Sequence, residues 1–219
     1  PPIAANATNT FASCSGYISG AYAFREELRL NSEALAKYIL ISLAGGVTGA
    51  WLLLQTPEAL FEEAVPWLLL FATLVFIFGS RLNKVFRQFS ERHKHARSIG
   101  VLSLFLVLLG VCIYGGFFNA GLGIVILSYF ALAGYTDINA MNGLKLLISS
   151  SVSLVAIVLF AYNGAIAWFE GSIVLLGAVT GGYVAARISR RLPQEYVRRI
   201  VIVVGGSITL FFFYDFYFE

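Results

Sequence analysis

Long apolar runs separated by short charged stretches dominate the chain. About 20 apolar residues are needed to cross a hydrocarbon core of about 30 Å, and on that scale eight segments read as helical spans or parts of spans. They are A at 3–24, B at 35–55, C at 63–79, D at 98–118, a short Gly-flanked E at 121–135, F at 138–162, G at 167–187 and H at 197–214. C, D and H are strongly apolar. A is instead full of Ala, Gly, Ser, Thr and Asn, which suits a helix buried among other helices, where Gly16-xxx-Gly20 permits close approach. The same spacing recurs at Gly45-xxx-Gly49 in B and Gly177-xxx-Gly181 in G. Trp67, Trp168 and the aromatic run at 211–218 fall near span ends, as interfacial belts do.

Polar positions inside the apolar runs carry the candidate chemistry. At 100° per residue, Asn139, Asn142, Lys145, Ser149 and Ser153 of F fall within an arc of about 120°. A repeats the stripe with Asn6, Asn9, Thr10 and Ser13, while Gly16 and Gly20 replace the two serines and Ala12 stands where F has Lys145. A lysine at that depth costs about 2.5–3.5 kcal/mol to insert and is a functional candidate by default. The plainer alternative is that it snorkels or bonds a backbone carbonyl. For the asparagines, hydrogen-bonding glue between helices competes with ligand contact. The second candidate is Tyr-Gly-Gly-Phe-Phe-Asn-Ala-Gly-Leu-Gly at 114–123. Its glycines permit an unwound backbone whose N–H groups, with the positive end of the next helix, can hold an anion. Asn119, Gly121 and Gly123 are its candidate residues, with close helix packing as the alternative.

Composition narrows the class. With 58% hydrophobic and 12% charged residues and a mean hydropathy of +0.80, the chain is neither an ordinary soluble domain nor a disordered one. Its net charge of +3 is meaningful only by position. Except for Lys145, the basic residues fall in three groups: Arg25, Arg29 and Lys37; Arg81, Lys84, Arg87, Arg92, Lys94 and Arg97; Arg187, Arg190, Arg191, Arg198 and Arg199. Basic short loops mark the cytoplasmic side, so the A/B, C/D and G/H connections are expected inside and the B/C and F/G loops outside. The C-terminus is then expected outside, and E, alone or with an unwound start of F, must bring the chain back between D and F. No basic n-region precedes the first apolar run, so no cleavable leader is expected. Cys14 and Cys112 lie in apolar stretches and offer neither a disulfide framework nor a zinc site. His93 and His95 sit in the basic loop, away from any intramembrane serine, and read as solvated. Asp137, Glu170 and Asp215 fall at span ends, where they cap or face water. No enzyme, metal or cofactor is expected.

Three self-matches in register point to a repeat. Asn6-Ala-Thr-Asn9 matches Asn139-Ala-Met-Asn142 at an offset of 133, LAGGVTGAW at 43–51 matches LLGAVTGGY at 175–183, and PEALFEEAV at 57–65 aligns with PQEYVRRIV at 193–201. Loop B/C carries Glu58, Glu62 and Glu63, whereas its counterpart carries Glu195 but also Arg190, Arg191, Arg198 and Arg199, so equivalent loops are expected on opposite sides. The expected fold is an all-α polytopic membrane protein, an inverted-topology repeat of helical bundles with broken or re-entrant segments, with its site near the midplane. Residues 1–80 form the first repeat, 81–97 a cytoplasmic basic loop and 98–219 the second repeat. Nothing in the first repeat matches 97–133, so about 35 residues equivalent to D and E are expected to be missing from its N-terminal side.

Several of these motifs together resemble the TauE/SafE sulfite exporter family, also called the 4-toluene sulfonate uptake permease family. They are Pro-Pro-Ile-Ala-Ala-Asn-Ala-Thr-Asn-Thr at 1–10 with Ser-Gly-Tyr-Ile-Ser-Gly-Ala-Tyr at 15–22, Gly-Gly-Phe-Phe-Asn-Ala-Gly-Leu-Gly at 115–123, Asn-Ala-Met-Asn-Gly-Leu-Lys at 139–145, and Gly-Gly-Tyr-Val-Ala-Ala-Arg at 181–187. The resemblance covers nearly the whole chain and lacks the family's usual Gly-rich first segment. It implies a multi-pass inner-membrane transporter, an exporter of sulfite, organosulfonates or related sulfur-containing or carboxylate anions. The alternative is a non-transporting membrane scaffold or accessory subunit. Asn6, Asn9, Asn139, Asn142, Lys145 and Ser149 are expected to line the site with Asn119, Gly121 and Gly123. The partners expected are a small anion, the lipid bilayer and optionally a second copy in a homodimer, with no nucleic acid.

Overall fold

The computed structural model describes residues 1–30, 32–92, 97–189 and 194–218, which are helical with no strand among them. His93, Lys94, His95, Arg190 and Arg191, all assigned above to cytoplasmic loops, lie outside the described residues. The helices are α1 (Pro2–Ala23), α2 (Arg25–Leu30), α3 (Ser32–Gln55), α4 (Glu58–Arg92), α5 (Arg97–Phe118), α6 (Leu122–Leu132), α7 (Ile138–Tyr162), α8 (Trp168–Ser189) and α9 (Gln194–Phe218).

Local chemistry explains the boundaries. α1 opens on proline, which costs nothing where no intrahelical acceptor is available. The Asp137 side chain accepts the Asn139 N–H at 2.9 Å and caps α7, one of the two roles expected of an acid at that span end. At its far end, the Asn163 amide donates to the Leu159 carbonyl at 2.8 Å, and Gly164, at φ +65°, turns the chain toward α8. Segment 81–97, expected as a loop, is helical as far as Arg92. Strong helix formers continue α4 past the apolar stretch, and nothing before residue 92 stops it. Pro66 lies inside this helix. Among the described residues, Leu35–Gln55 and Asn139–Tyr162 are long and apolar enough to span a bilayer, and shorter apolar helices occur at Leu102–Phe118, Trp168–Thr180 and Ile202–Tyr217.

Packing fixes the helix directions. Gly20 of α1 abuts Leu146 of α7, while Phe24, further along, abuts Gly143, so these two helices run antiparallel. α4 and α9 are also antiparallel: Trp67 packs edge-on against Phe213 and donates to the Tyr217 hydroxyl at 3.2 Å, and the Thr73 and Thr209 hydroxyls meet at 3.2 Å. α3 lies against α5 and α7, and α8 against α1. One apolar cluster joins α5, α6 and α7 around Cys112, Ile126, Phe130, Leu144 and Ile148; a second gathers Ala50, Leu53, Phe61, Phe118, Ala156 and Phe160.

The α5–α6 turn is set by that packing. Gly49 of α3 abuts Ile113 and Phe117 of α5. Since α3 runs six residues further to Gln55, the turn lies about 9 Å short of the end of α3. α6 has 11 residues and rises about 16 Å, too little for a full span, and it returns the chain to Tyr135, whose hydroxyl meets that of Tyr38 at 3.0 Å.

Candidate anion site

The polar stripe of α7 grades from exposed to sealed. Asn139 is exposed, Asn142 and Lys145 are half-buried, and Ser149 and Ser153 are 2% and 0% exposed. Beyond Ser153 the same face continues as Ala156 and Phe160 in the second apolar cluster, so the stripe is open at one end and closed by aromatic side chains at the other. The Lys145 ammonium donates to Asn142 Oδ1 at 3.0 Å. Its methylene stem lies along the first turn of α6, where a Cβ on Gly123 would sit 3.3 Å from Lys145 Cδ.

The turn before α6 has an unusual backbone. Asn119 has φ +26° and Gly121 φ +73°, a left-handed region that favours glycine. The Leu122 N–H bonds the Asn119 carbonyl at 3.2 Å, and the Ile124 and Val125 N–H groups bond that of Gly121. The N–H of Gly123 has no backbone acceptor among the described residues. Two side chains hold the turn from outside: the Asn6 amide donates to the Phe117 carbonyl at 2.9 Å, and the Tyr114 hydroxyl donates to that of Ala120 at 2.5 Å. The Asn119 side chain is 4% exposed, and neither its oxygen nor its nitrogen has a protein partner. Each such group, left unmet, costs about 1–3 kcal/mol. The Ser153 hydroxyl is in the same condition.

These features have one electrostatic sense. The first turn of a helix carries about half a positive charge, and at α6 that turn abuts the stem of a lysine whose hydrogen-bond partner among the described residues is a neutral amide. Two positive groups side by side, with unmet donors nearby, are matched by a small anion. Among the described residues, no group of three or more His, Cys, Asp or Glu side chains could hold a metal.

The site residues read from the sequence are not all gathered. Asn142, Lys145 and Gly123 are in contact or hydrogen-bonded, Asn119 and Gly121 belong to the adjoining turn, and Ser149 is buried on the same face of α7. Asn6 spends its amide on the Phe117 carbonyl. Asn9 is exposed and lines a separate cleft of about 460 Å³ with Pro1, Thr8, Ala167 and Glu170, between α1 and α8. Asn6 and Asn9 are about 60° apart around the helix, enough to give them different neighbours. Tyr114, which is not among the residues expected to line the site, lies inside the motif at 114–123; the signal that could have found it is the number of carbonyls an unwound turn leaves to be met.

The Sulfite exporter TauE/SafE family model matches residues 1–212 of the chain. The chain belongs to the TauE/SafE family. Among curated proteins, this TauE/SafE chain is 26% identical over 216 residues to a "Probable membrane transporter protein" of Haemophilus influenzae, covering 98% of the chain and 82% of the relative. It is 25% identical over 211 residues to "Probable membrane transporter protein ORF9" of a Sinorhizobium species, covering 96% and 78%. No solved structure matches the chain. The family and these relatives identify a membrane transporter.

Proposed function

We propose that this TauE/SafE transporter exports small anions, sulfite, organosulfonates or related sulfur-containing or carboxylate compounds, across the inner membrane as a multi-pass protein. The observation that carries the anionic substrate is Lys145, half-buried against the first turn of α6 with Asn142 as its partner. Lys145 neutralises the anion, the Gly123 N–H, which has no backbone acceptor among the described residues, donates to it, and Asn142 orients the ammonium. Asn119 supplies the donor and acceptor that the protein leaves unused, and Ser149 lies deeper on the α7 stripe. Asn139 stands at the open end of that stripe. Asn6 serves through the Phe117 carbonyl, and Asn9 belongs to this site only if the helices rearrange.

Three features support an inverted repeat. α1 pairs antiparallel with its counterpart α7, and α4 with α9. The packing of α3 on α7 exchanges into that of α8 on α1. Thr73 and Thr209, which hydrogen-bond each other, are separated by 136, the same offset as Pro57 and Pro193. A two-fold axis in the membrane plane would relate these elements, leaving the C-terminus outside. Topology mapping that placed the C-terminus in the cytoplasm would overturn this arrangement.

The transport reading is tested by flux of sulfite and a panel of sulfonates into proteoliposomes. Wild-type protein is expected to carry at least one of them. Lys145→Gln should insert normally and lose most of that flux; a variant that exports at the full rate would remove Lys145 from the site.

A further inference from the structure

We infer that Tyr114 is a positioning residue for this anion site, acting with Asn6 through the α5–α6 turn. The inference rests on the anion-site reading and adds to it a residue that never touches substrate. The turn at 117–121 breaks the helical ladder between α5 and α6, and its backbone must be held if the Gly123 N–H, which has no backbone acceptor among the described residues and lies beside the Lys145 stem, is to keep one position. Its own polar side chain does not hold it, because Asn119 is buried with both polar atoms unpartnered. The holding groups come from two other places. Tyr114, one turn back on α5, donates its hydroxyl to the Ala120 carbonyl at 2.5 Å. Asn6, from α1, donates to the Phe117 carbonyl at 2.9 Å. Tyr114 is itself fixed by edge-on contacts with Phe71 of α4 and Phe118.

These anchors join three elements to one turn: α4 through Phe71, α1 through Asn6, and α5 through Tyr114 itself. A carbonyl held by a hydroxyl cannot swing toward the anion, where its negative end would oppose binding. Preorganised N–H donors stabilise an anion more than mobile ones do, because they need no reordering on binding. Tyr114→Phe retains the ring and its aromatic contacts and removes only the donor, so it isolates this contribution.

The test is sulfite uptake by proteoliposomes, measured for wild type, Tyr114→Phe, Asn6→Ala, the double variant and Lys145→Gln. Loss of one neutral hydrogen bond predicts about a fivefold rise in the half-saturating sulfite concentration for Tyr114→Phe, with the maximal rate little changed. The double variant should be less than the sum of the singles, since both anchor the same turn. Amide hydrogen exchange across 118–124 should speed up in Tyr114→Phe while the other helices keep their protection. If Lys145→Gln is impaired and Tyr114→Phe keeps wild-type half-saturation, the positioning role is overturned and the anion site stands. If Lys145→Gln is unimpaired, the anion-site reading falls and takes this inference with it. Should wild type carry no sulfite, exchange decides: unchanged exchange at 118–124 overturns the inference, and faster exchange confined to that stretch supports the anchoring it requires. If Tyr114→Phe does not fold, Asn6→Ala is read by the same two measurements.

Discussion

α3 and α8 carry closely similar glycine stretches, LAGGVTGAW and LLGAVTGGY, and the aligned glycines Gly45 and Gly177 meet different surroundings. In α3, a Cβ on Gly49 would collide with the Ile113 carbonyl and lie 2.8 Å from the Phe117 nitrogen, and one on Gly45 would collide with Cys112. In α8, a Cβ on Gly177 would meet nothing within 4 Å. Two positions on the α1 stripe differ from Lys145 in the same sense. Lys145 is covered by the first turn of α6, whereas Gly16 has open space around it and Asn9 is exposed. The pair α5–α6 lies on α3 and α7, and no element among the described residues takes the corresponding place on α8 and α1. A small-residue motif therefore reports the capacity for close approach, and only the presence of a partner turns that capacity into a contact.

The largest expected effect tests this contrast directly. Gly49→Val places three carbons against the backbone of α5 and should cost about 3 kcal/mol or more, seen as loss of yield and of thermal stability in detergent. Gly177→Val should change stability by less than about 0.5 kcal/mol. Equal losses at both positions would mean that α8 is as tightly partnered as α3, and the comparison would fail.

Next in size is the effect at the site. Gly123→Val forces its side chain against the Lys145 stem, 3.3 Å from the nearest methylene carbon, and should reduce anion flux about tenfold by displacing the ammonium. Gly16→Val, at an open position of α1, should leave flux within about twofold of wild type. A larger loss at Gly16 than at Gly123 would move the translocation path to the α1 face.

The sequence made some parts of this organisation legible and hid others for physical reasons. The expected limits of α7 coincide with the observed ones because a long apolar run lies between an Asp cap and an Asn-Gly turn, and all three signals are local. The true length of α4 was hidden because apolarity marks where a helix can meet lipid, while helix propensity carries it on to Arg92. In the candidate site, Lys145 stood out as a cation in an apolar run. The joint placement of Asn6 and Asn9 did not follow from their shared stripe, since periodicity gives a residue's direction on its own helix and leaves its neighbour unspecified. Tyr114 was hidden because its role depends on the turn six residues later.

Thiol labelling sharpens the contrast between α1 and α7 at a finer level. Asn142→Cys and Ser149→Cys should react with a water-soluble maleimide if the α7 stripe is a path, with residue 149 about tenfold slower because its position is buried. Asn9→Cys lies at the exposed cleft and should label fastest. The native Cys14 and Cys112 are buried and give a low background. No reaction at either 142 or 149 would favour a packing seam and the scaffold alternative.

The smallest effect concerns the threonine pair between α4 and α9. Thr73 and Thr209, separated by the same 136 residues as Pro57 and Pro193, meet at 3.2 Å, while Thr209 also donates to the Gly205 carbonyl at 2.8 Å. Thr73→Val removes only the contact between the helices and should cost about 1 kcal/mol. Thr209→Val removes that contact together with a bond inside α9, so it should cost somewhat more. Adding Thr73→Val to Thr209→Val should then cost almost nothing further, because their mutual bond is already gone. Fully additive losses would show that the two threonines act separately, and the support this pair gives to a two-fold axis between α4 and α9 would be withdrawn.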